Sequence, residues 1–273
     1  MKSGEVGNKV NRRRVEAPSR IAVALSLLAV LFVALPVIAL LREVAWSRLI
    51  SDLTTPEALS ALRLSLLCSI LATALAAVLG LPLAWVLARV EFRGRGFVRG
   101  LVLLPLVVPP VVAGVGLLAA FGRNGMLGGT LNMLGLRITF TPVAVVIAEA
   151  FVALPFLVLA VEAGIRGIDR RYEDAARTLG ASRSFVMRRI TLPLLAPSLA
   201  AGLALAWARA LGEFGATITF AGNIQGRTRT VPLAVYLLLD SSPDVAIALS
   251  LLLVLICVAV LVTLRARWIG AIR

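Results

Sequence analysis

Long apolar runs dominate the pattern of hydrophobic and polar positions along this chain of 273 residues. A helix needs ~20 apolar residues to cross the hydrocarbon core of a bilayer. Six runs meet that requirement, at residues 21–41, 64–87, 100–121, 143–165, 194–219 and 245–264. The pattern predicts an all-α integral membrane protein with six transmembrane helices, of which residues 21–41 form the first.

The composition supports this interpretation and leaves little sequence for a soluble domain. Hydrophobic residues make up 60% of the chain and charged residues only 15%, whereas soluble domains are ~25% charged. The net charge of +14 could indicate a nucleic-acid partner. However, the arginines lie at the edges of apolar runs, so we expect a lipid bilayer and no nucleic acid.

The basic residues predict the orientation in the cell membrane. Of the 28 basic residues, 20 lie in the tails at residues 1–20 and 265–273 or in the segments after the second and fourth runs. Short cytoplasmic segments are enriched in Lys and Arg. We therefore expect a multi-pass protein with both termini in the cytoplasm, together with the loop at residues 166–193.

The side chains offer little catalytic chemistry. The chain has no His and no phosphate-binding loop of the G-x-x-x-x-G-K-[ST] type. Its two cysteines, Cys68 and Cys257, fall within apolar runs, where thiols usually behave as small hydrophobic groups. We expect no catalytic residue, no metal site and no cofactor in this chain, and we do not interpret it as an enzyme.

One polar segment interrupts the apolar pattern. Residues 174–193 read DAARTLGASRSFVMRRITLP. Gly180 can end a helix in a left-handed cap, and Ser182 can cap a second helix, so we predict two short helices separated by a turn at the membrane surface. An interfacial helix held by arginines at the headgroups is the alternative, but it leaves the small-residue pattern unexplained.

This segment resembles the cytoplasmic loop of ATP-binding-cassette (ABC) importer permeases. In that family Glu-Ala-Ala is followed after three residues by Gly and after nine more by Ile-x-Leu-Pro. The matching residues here are Asp174, Ala175, Ala176, Gly180, Ile190, Leu192 and Pro193, with Asp174 in place of the usual Glu. The resemblance implies a coupling loop that docks on a separate ATPase subunit, where ATP and Mg are bound.

A second stretch narrows the resemblance. Residues 211–236 read LGEFGATITFAGNIQGRTRTVPLAVY and residues 104–114 read LPLVVPPVVAG. Both are similar to molybdate permease subunits, and the resemblance covers residues 58–264, which we take as the permease domain. It implies the type I ABC importer fold and import of molybdate, or of the nearly isosteric tungstate.

The resemblance also implies partners, and other functions stay open. The expected partners are two ATPase subunits, an extracytoplasmic molybdate-binding protein and a second permease chain in a homodimer. A sulfate or thiosulfate permease is the nearest alternative. A secondary anion carrier is more remote, because paired intramembrane acids are missing, and a purely structural anchor would leave the loop spacing unexplained.

Two charges within the fifth predicted span are candidates for the translocation path. Arg209 and Glu213 are four residues apart and can pair along a helix, with Gly212 and Gly215 beside them. Intramembrane charges normally face protein or water, so the pair is either structural or a gate on the anion path. For Glu149 we expect a hydrogen bond between helices.

The third predicted span contains Pro105, Pro109, Pro110 and Gly114. Such residues kink or interrupt a helix. Irregular backbone is not tolerated against lipid, so this region should face protein or a cavity. Tight proline packing without a function is the alternative.

Overall fold

The computed structural model describes residues 19–270, and within that range it is helical without a strand. Five helices are long and apolar enough to span a membrane, and a sixth span results if one sharply bent helix pair is counted. The predicted all-α class is therefore confirmed. Residues 1–18 and 271–273 of the two predicted tails lie outside the described residues.

The first unit of the structure is a single helix, α1, at Arg20–Glu43. It agrees with the first predicted span, and Pro36 lies within it. None of its residues is buried, and its long aliphatic side chains are exposed along its length. It therefore contributes no core of its own.

The second unit contains all the remaining helices. Their order is α2 (Leu49–Leu53), α3 (Pro56–Arg89), α4 (Arg95–Val107), α5 (Pro110–Phe121), α6 (Gly128–Met133), α7 (Pro142–Gly167), α8 (Arg170–Thr178), α9 (Arg183–Val186), a π-helical turn (Met187–Thr191), α10 (Leu192–Leu211), α11 (Gly215–Ala221), α12 (Val231–Ser241) and α13 (Pro243–Gly270).

The core of this unit lies between α3, α7 and α10. One face of α3 is a buried row of small side chains: Ala61, Ser65, Cys68, Ala72 and Ala76. Small residues at this spacing let helices approach closely in lipid, where van der Waals packing drives association. Cys68 is buried and Cys257 half-buried, and neither forms a disulfide, so both thiols fit the predicted role of apolar filler.

The predicted third span is not one helix. α4 and α5 meet at Val108 and Pro109 with a bend of 118°. Pro110 begins α5, and the residue before a proline is driven toward an extended backbone. Interruption by prolines was expected, but so sharp a bend was not.

Protein packs against α5 beyond the bend, whereas the bend itself is exposed: Val107 is 82% exposed, and Pro109 and Pro110 are exposed as well. α5 packs on α11 through a glycine contact: a Cβ atom added to Gly114 would lie 2.7 Å from Cβ of Thr219 and 2.8 Å from the carbonyl oxygen of Ala216. Only glycine allows this approach. The prediction that the interrupted region faces protein or a cavity is therefore confirmed for α5 at Gly114, and for the exposed bend it stays a prediction.

The fifth predicted span is misplaced at both ends. A continuous helical segment begins at Arg183 rather than residue 194 and ends at Leu211 rather than residue 219. Residues 212–214 break the helix before α11 begins. Apolar character continues across the break, which is why hydropathy alone did not reveal it.

Candidate coupling segment and intramembrane ion pair

The first part of the candidate coupling segment is a capped helix, α8. The carboxylate of Asp169 accepts a hydrogen bond from the backbone N–H of Arg171 at 2.9 Å, which caps its N-terminus. At the other end Gly180 has φ +84°, and the N–H of Ala181 donates to the carbonyl of Ala176 at 3.0 Å. The predicted left-handed cap is confirmed.

The second part of the segment differs from the prediction. The hydroxyl of Ser182 accepts from the N–H of Phe185 at 3.2 Å, so Ser182 caps a helix as expected. That helix is not a separate surface element, because it passes through the π-helical turn directly into α10. Ile190, Leu192 and Pro193 therefore lie within a long helical segment that begins at Arg183.

The turn between α8 and α9 presents an open surface. Asp174, Ala175 and Gly180 are exposed, and Ala176 is half-buried. A Cβ atom added to Gly180 would meet no atom within 4 Å, and Leu179 is 88% exposed. The seven resemblance residues thus lie on one continuous segment, and its small-residue turn is free to contact a partner.

Glu173, which our sequence analysis did not select, attaches α8 to the core. It is buried, and its Oε1 accepts hydrogen bonds from Nη2 of Arg89 at 2.8 Å and from the hydroxyl of Thr191 at 2.9 Å. Glu173 therefore connects the coupling segment to the end of α3 and to the π-helical turn. Its position beside Asp174 in a polar stretch gave no sign of this burial.

A second buried carboxylate lies at the same end of the bundle. Oε1 of Glu162 on α7 accepts from Arg166 at 2.8 Å and also pairs with Arg99 of α4. Arg166 and Arg95 both donate to the backbone carbonyl of Leu87. The ends of α3, α4 and α7 are thus joined by a charged network. Its contacts between helices were missed because Arg99 and Glu162 are 63 residues apart in sequence.

The predicted pair of Arg209 and Glu213 forms. Nη2 of Arg209 lies 2.6 Å from Oε2 of Glu213, and the Glu213 side chain is 1% exposed. The sequence suggested that Glu213 lies on the same helix as Arg209. In the structure it lies in the break after α10. Its Oε1 accepts from the N–H of Ala216 at 2.8 Å, so one carboxylate both pairs with α10 and caps the start of α11.

The two neighbouring glycines have different environments. Gly212 is exposed, whereas Gly215 is buried. A Cβ atom at Gly215 would lie 2.6 Å from Cβ of Pro110. The ion pair is therefore held beside the bend between α4 and α5. The arrangement can fix the position of α11 relative to α10 and α5.

Glu149 lies on α7 and is fully buried. Its Oε2 has no hydrogen-bond partner among the described residues, so the expected hydrogen bond between helices does not involve that atom. The carboxyl group is close enough to interact electrostatically with Glu213. A second acidic group thus borders the ion pair within the membrane-spanning bundle.

Comparison of the sequence with known proteins assigns this chain to a family. Residues 76–270 match the family model described as "Binding-protein-dependent transport system inner membrane component". The chain is 48% identical over 238 residues to the molybdenum transport system permease protein ModB of Mycobacterium tuberculosis, covering 87% of this chain and 90% of the relative. It is 35% identical to the sulfate transport system permease protein CysT of Salmonella typhimurium, with 84% of each chain covered.

The fold also has counterparts among solved structures. A bacterial ABC transporter involved in the import of the acidic polysaccharide alginate matches with a TM-score of 0.66 and 18% identity, covering 89% of this chain and 92% of that chain. At this identity the likeness concerns the fold, which is that of type I ABC importer permeases. The chain therefore belongs to the family of inner-membrane components of binding-protein-dependent transport systems.

Proposed function

We propose that this chain is the translocation subunit of an ABC importer that moves molybdate, or the nearly isosteric tungstate, into the cytoplasm. The assignment of molybdate as the substrate rests on the 48% identity to a molybdenum permease over 87% of the chain. The sulfate permease relative is more distant at 35%, so sulfate or thiosulfate is the second candidate. Energy would come from a separate ATPase.

The proposed assembly follows from the family. Two copies of this chain would form the path at their interface, two ATPase subunits would bind residues 173–193, and an extracytoplasmic binding protein would deliver the anion. Both termini would be cytoplasmic, because most basic residues lie on that side. The open turn around Gly180 supports the docking of an ATPase, since it offers small side chains without obstruction.

The geometry supports a mechanism for coupling. A displacement of α8 by the ATPase would be transmitted through Glu173 to Arg89 on α3 and to Thr191 at the start of the long helical segment. That segment is continuous to Leu211, and Arg209 near its end holds Glu213. Movement at the coupling segment would therefore reach the break before α11, where the ion pair would serve as a gate.

Transport by the reconstituted complex tests the proposed function. The permease, its ATPase and its binding protein would be placed in vesicles, and uptake of labelled molybdate and labelled sulfate would be compared with and without ATP. We expect ATP-dependent uptake of molybdate that exceeds uptake of sulfate. Preference for sulfate would favour the second candidate, and uptake driven by an ion gradient without ATP would refute the ABC mechanism.

A further inference from the structure

The connection between α5 and α7 carries positive charge without any acid. Residues 122–141 contain Arg123 and Arg137 and no Asp or Glu. Arginines elsewhere in the second unit are often paired: Arg89, Arg99 and Arg209 each contact a carboxylate. For Arg123 and Arg137 the structure gives no side-chain hydrogen bond or ion pair among the described residues. Both residues are exposed, so their guanidinium groups are open to a ligand and are not neutralised by a carboxylate of the described residues.

Both arginines line one cavity of about 210 Å³. One water molecule occupies ~30 Å³ in the liquid. The cavity therefore has room for a small polyatomic ion with part of its hydration. Its polar lining includes the amide of Asn132 and the hydroxyl of Thr139, and its apolar wall includes Phe121 and Phe140. The lining thus combines two cations with neutral donors.

The cavity adjoins the end of α11 that lies away from the ion pair. The ring of Phe140 contacts the backbone at Gly222, where an added Cβ would lie 2.9 Å from Cδ1, and Phe140 itself has a φ of 60°. The ring of Phe121 lies 6.3 Å from that of Phe220. α11 has seven residues, so ~10 Å of helix separates this end from the one that Glu213 caps.

We propose that this cavity binds a tetrahedral oxyanion through Arg123 and Arg137. Guanidinium groups present planar donors that match oxyanions, and such charge-assisted hydrogen bonds are stronger than neutral ones. Because the two arginines line a recess, the site fits a small dianion better than it fits the flat surface of a partner protein. The site rests on the proposed function only in naming molybdate as the anion, which would bind here before entering the path.

Protection of arginines from phenylglyoxal tests the site without requiring transport. The permease–ATPase complex in lipid nanodiscs, without binding protein, would be modified in sodium molybdate or in sodium chloride of equal ionic strength, and each arginine followed by peptide mass spectrometry. We expect molybdate to slow modification of Arg123 and Arg137 and to leave Arg227 unchanged. Arg227 is exposed and lies outside the cavity lining, so it is the matched control.

Variants of the same complex measure the contribution of each cation. Arg137→Gln should raise the molybdate concentration that half-protects Arg123 by about tenfold, since a hydrogen bond to a charged group is lost. Arg227→Gln should leave that concentration unchanged. Equal protection by chloride would overturn the proposal. An absence of protection by molybdate would overturn it as well.

Uptake by the unmodified transporter separates this proposal from the proposed function. If the parent complex imports molybdate and neither arginine is protected, the oxyanion site is wrong and the function stands. If the arginines are protected and no molybdate is imported with the binding protein and ATP present, the site stands and the function is wrong.

Discussion

Glu173 is the point at which a single substitution should separate the coupling segment from the core. Glu173→Gln keeps the size of the side chain and removes its charge. The side chains of Arg89 and Glu173 are 13% and 10% exposed, so Arg89 would keep a poorly solvated charge without a counter-ion. The amide oxygen could still accept from the hydroxyl of Thr191, so most of the loss concerns Arg89.

The expected magnitude follows from these contacts. Breaking a buried ion pair by removing one partner costs about 3–5 kcal/mol, and the retained hydrogen bond offsets about 1 kcal/mol. The net cost at this contact is therefore about 2–4 kcal/mol. Since each 1.4 kcal/mol is tenfold, the open form of α8 should become roughly 30-fold to several hundred-fold more populated.

Hydrogen exchange of the complex measures this opening directly. Amides of α8 should exchange faster in Glu173→Gln by that factor, while those of α3 and α7 change little. The ratio of molybdate imported to ATP hydrolysed should fall, because the ATPase would move a detached helix. Glu91→Gln is the matched control, since Glu91 is exposed and close to Arg89 in sequence. Unchanged exchange in α8 together with unchanged coupling would refute the reasoning.

Four further predictions concern other parts of the molecule. Gly180→Val should leave membrane insertion intact but weaken co-purification of the ATPase or uncouple hydrolysis from uptake, because the residue has φ +84°, which disfavours a side chain. Glu213→Gln should lower the yield of folded complex by removing the partner of Arg209; normal yield with altered uptake would instead identify a gate. Gly215→Leu should reduce thermal stability in detergent, because the larger side chain would clash with Pro110. A cysteine at Gln225 should react with an impermeant thiol reagent from outside intact cells.

Contrasting outcomes would contradict each of these predictions. If Gly180→Val co-purifies and transports like the parent, the coupling assignment is wrong, whereas a loss that follows only removal of the arginines at 183, 188 and 189 would favour an interfacial helix. Normal yield and uptake for both Glu213→Gln and Arg209→Gln would remove either role for the pair. Unchanged stability of Gly215→Leu would refute close packing of α11 on α5, and labelling of Gln225 only after permeabilisation would refute the orientation.

The sequence predicted features that depend on local order along the chain. Apolar run length located the membrane-spanning helices, and the positions of Gly180 and Ser182 predicted the caps that the structure contains. The pairing of Arg209 with Glu213 was also accessible, because the two residues are four apart. These features require knowledge of a few neighbouring residues only.

Features that depend on packing between distant segments were not accessible. Glu173 appeared to be one more charge on a polar helix, because its partner Arg89 is 84 residues away. The prolines indicated an interruption after residue 104, but the packing of α5 on α11 joins segments about 100 residues apart and could not be predicted from local sequence. Glu149 was expected to hydrogen bond, since a single sequence does not reveal which side chains surround a buried carboxyl.

The π-helical turn at Met187–Thr191 has a consequence for insertions and deletions in this region. Val186 and Thr191 are both buried although they are five residues apart, a spacing that would turn them ~140° away from each other on an α-helix of 3.6 residues per turn. Hydrogen bonding from i to i+5 accommodates the additional residue and returns both side chains to one face. Deleting one residue between them would restore four-residue spacing and keep that face buried. Adding one would rotate every side chain before the turn relative to α10.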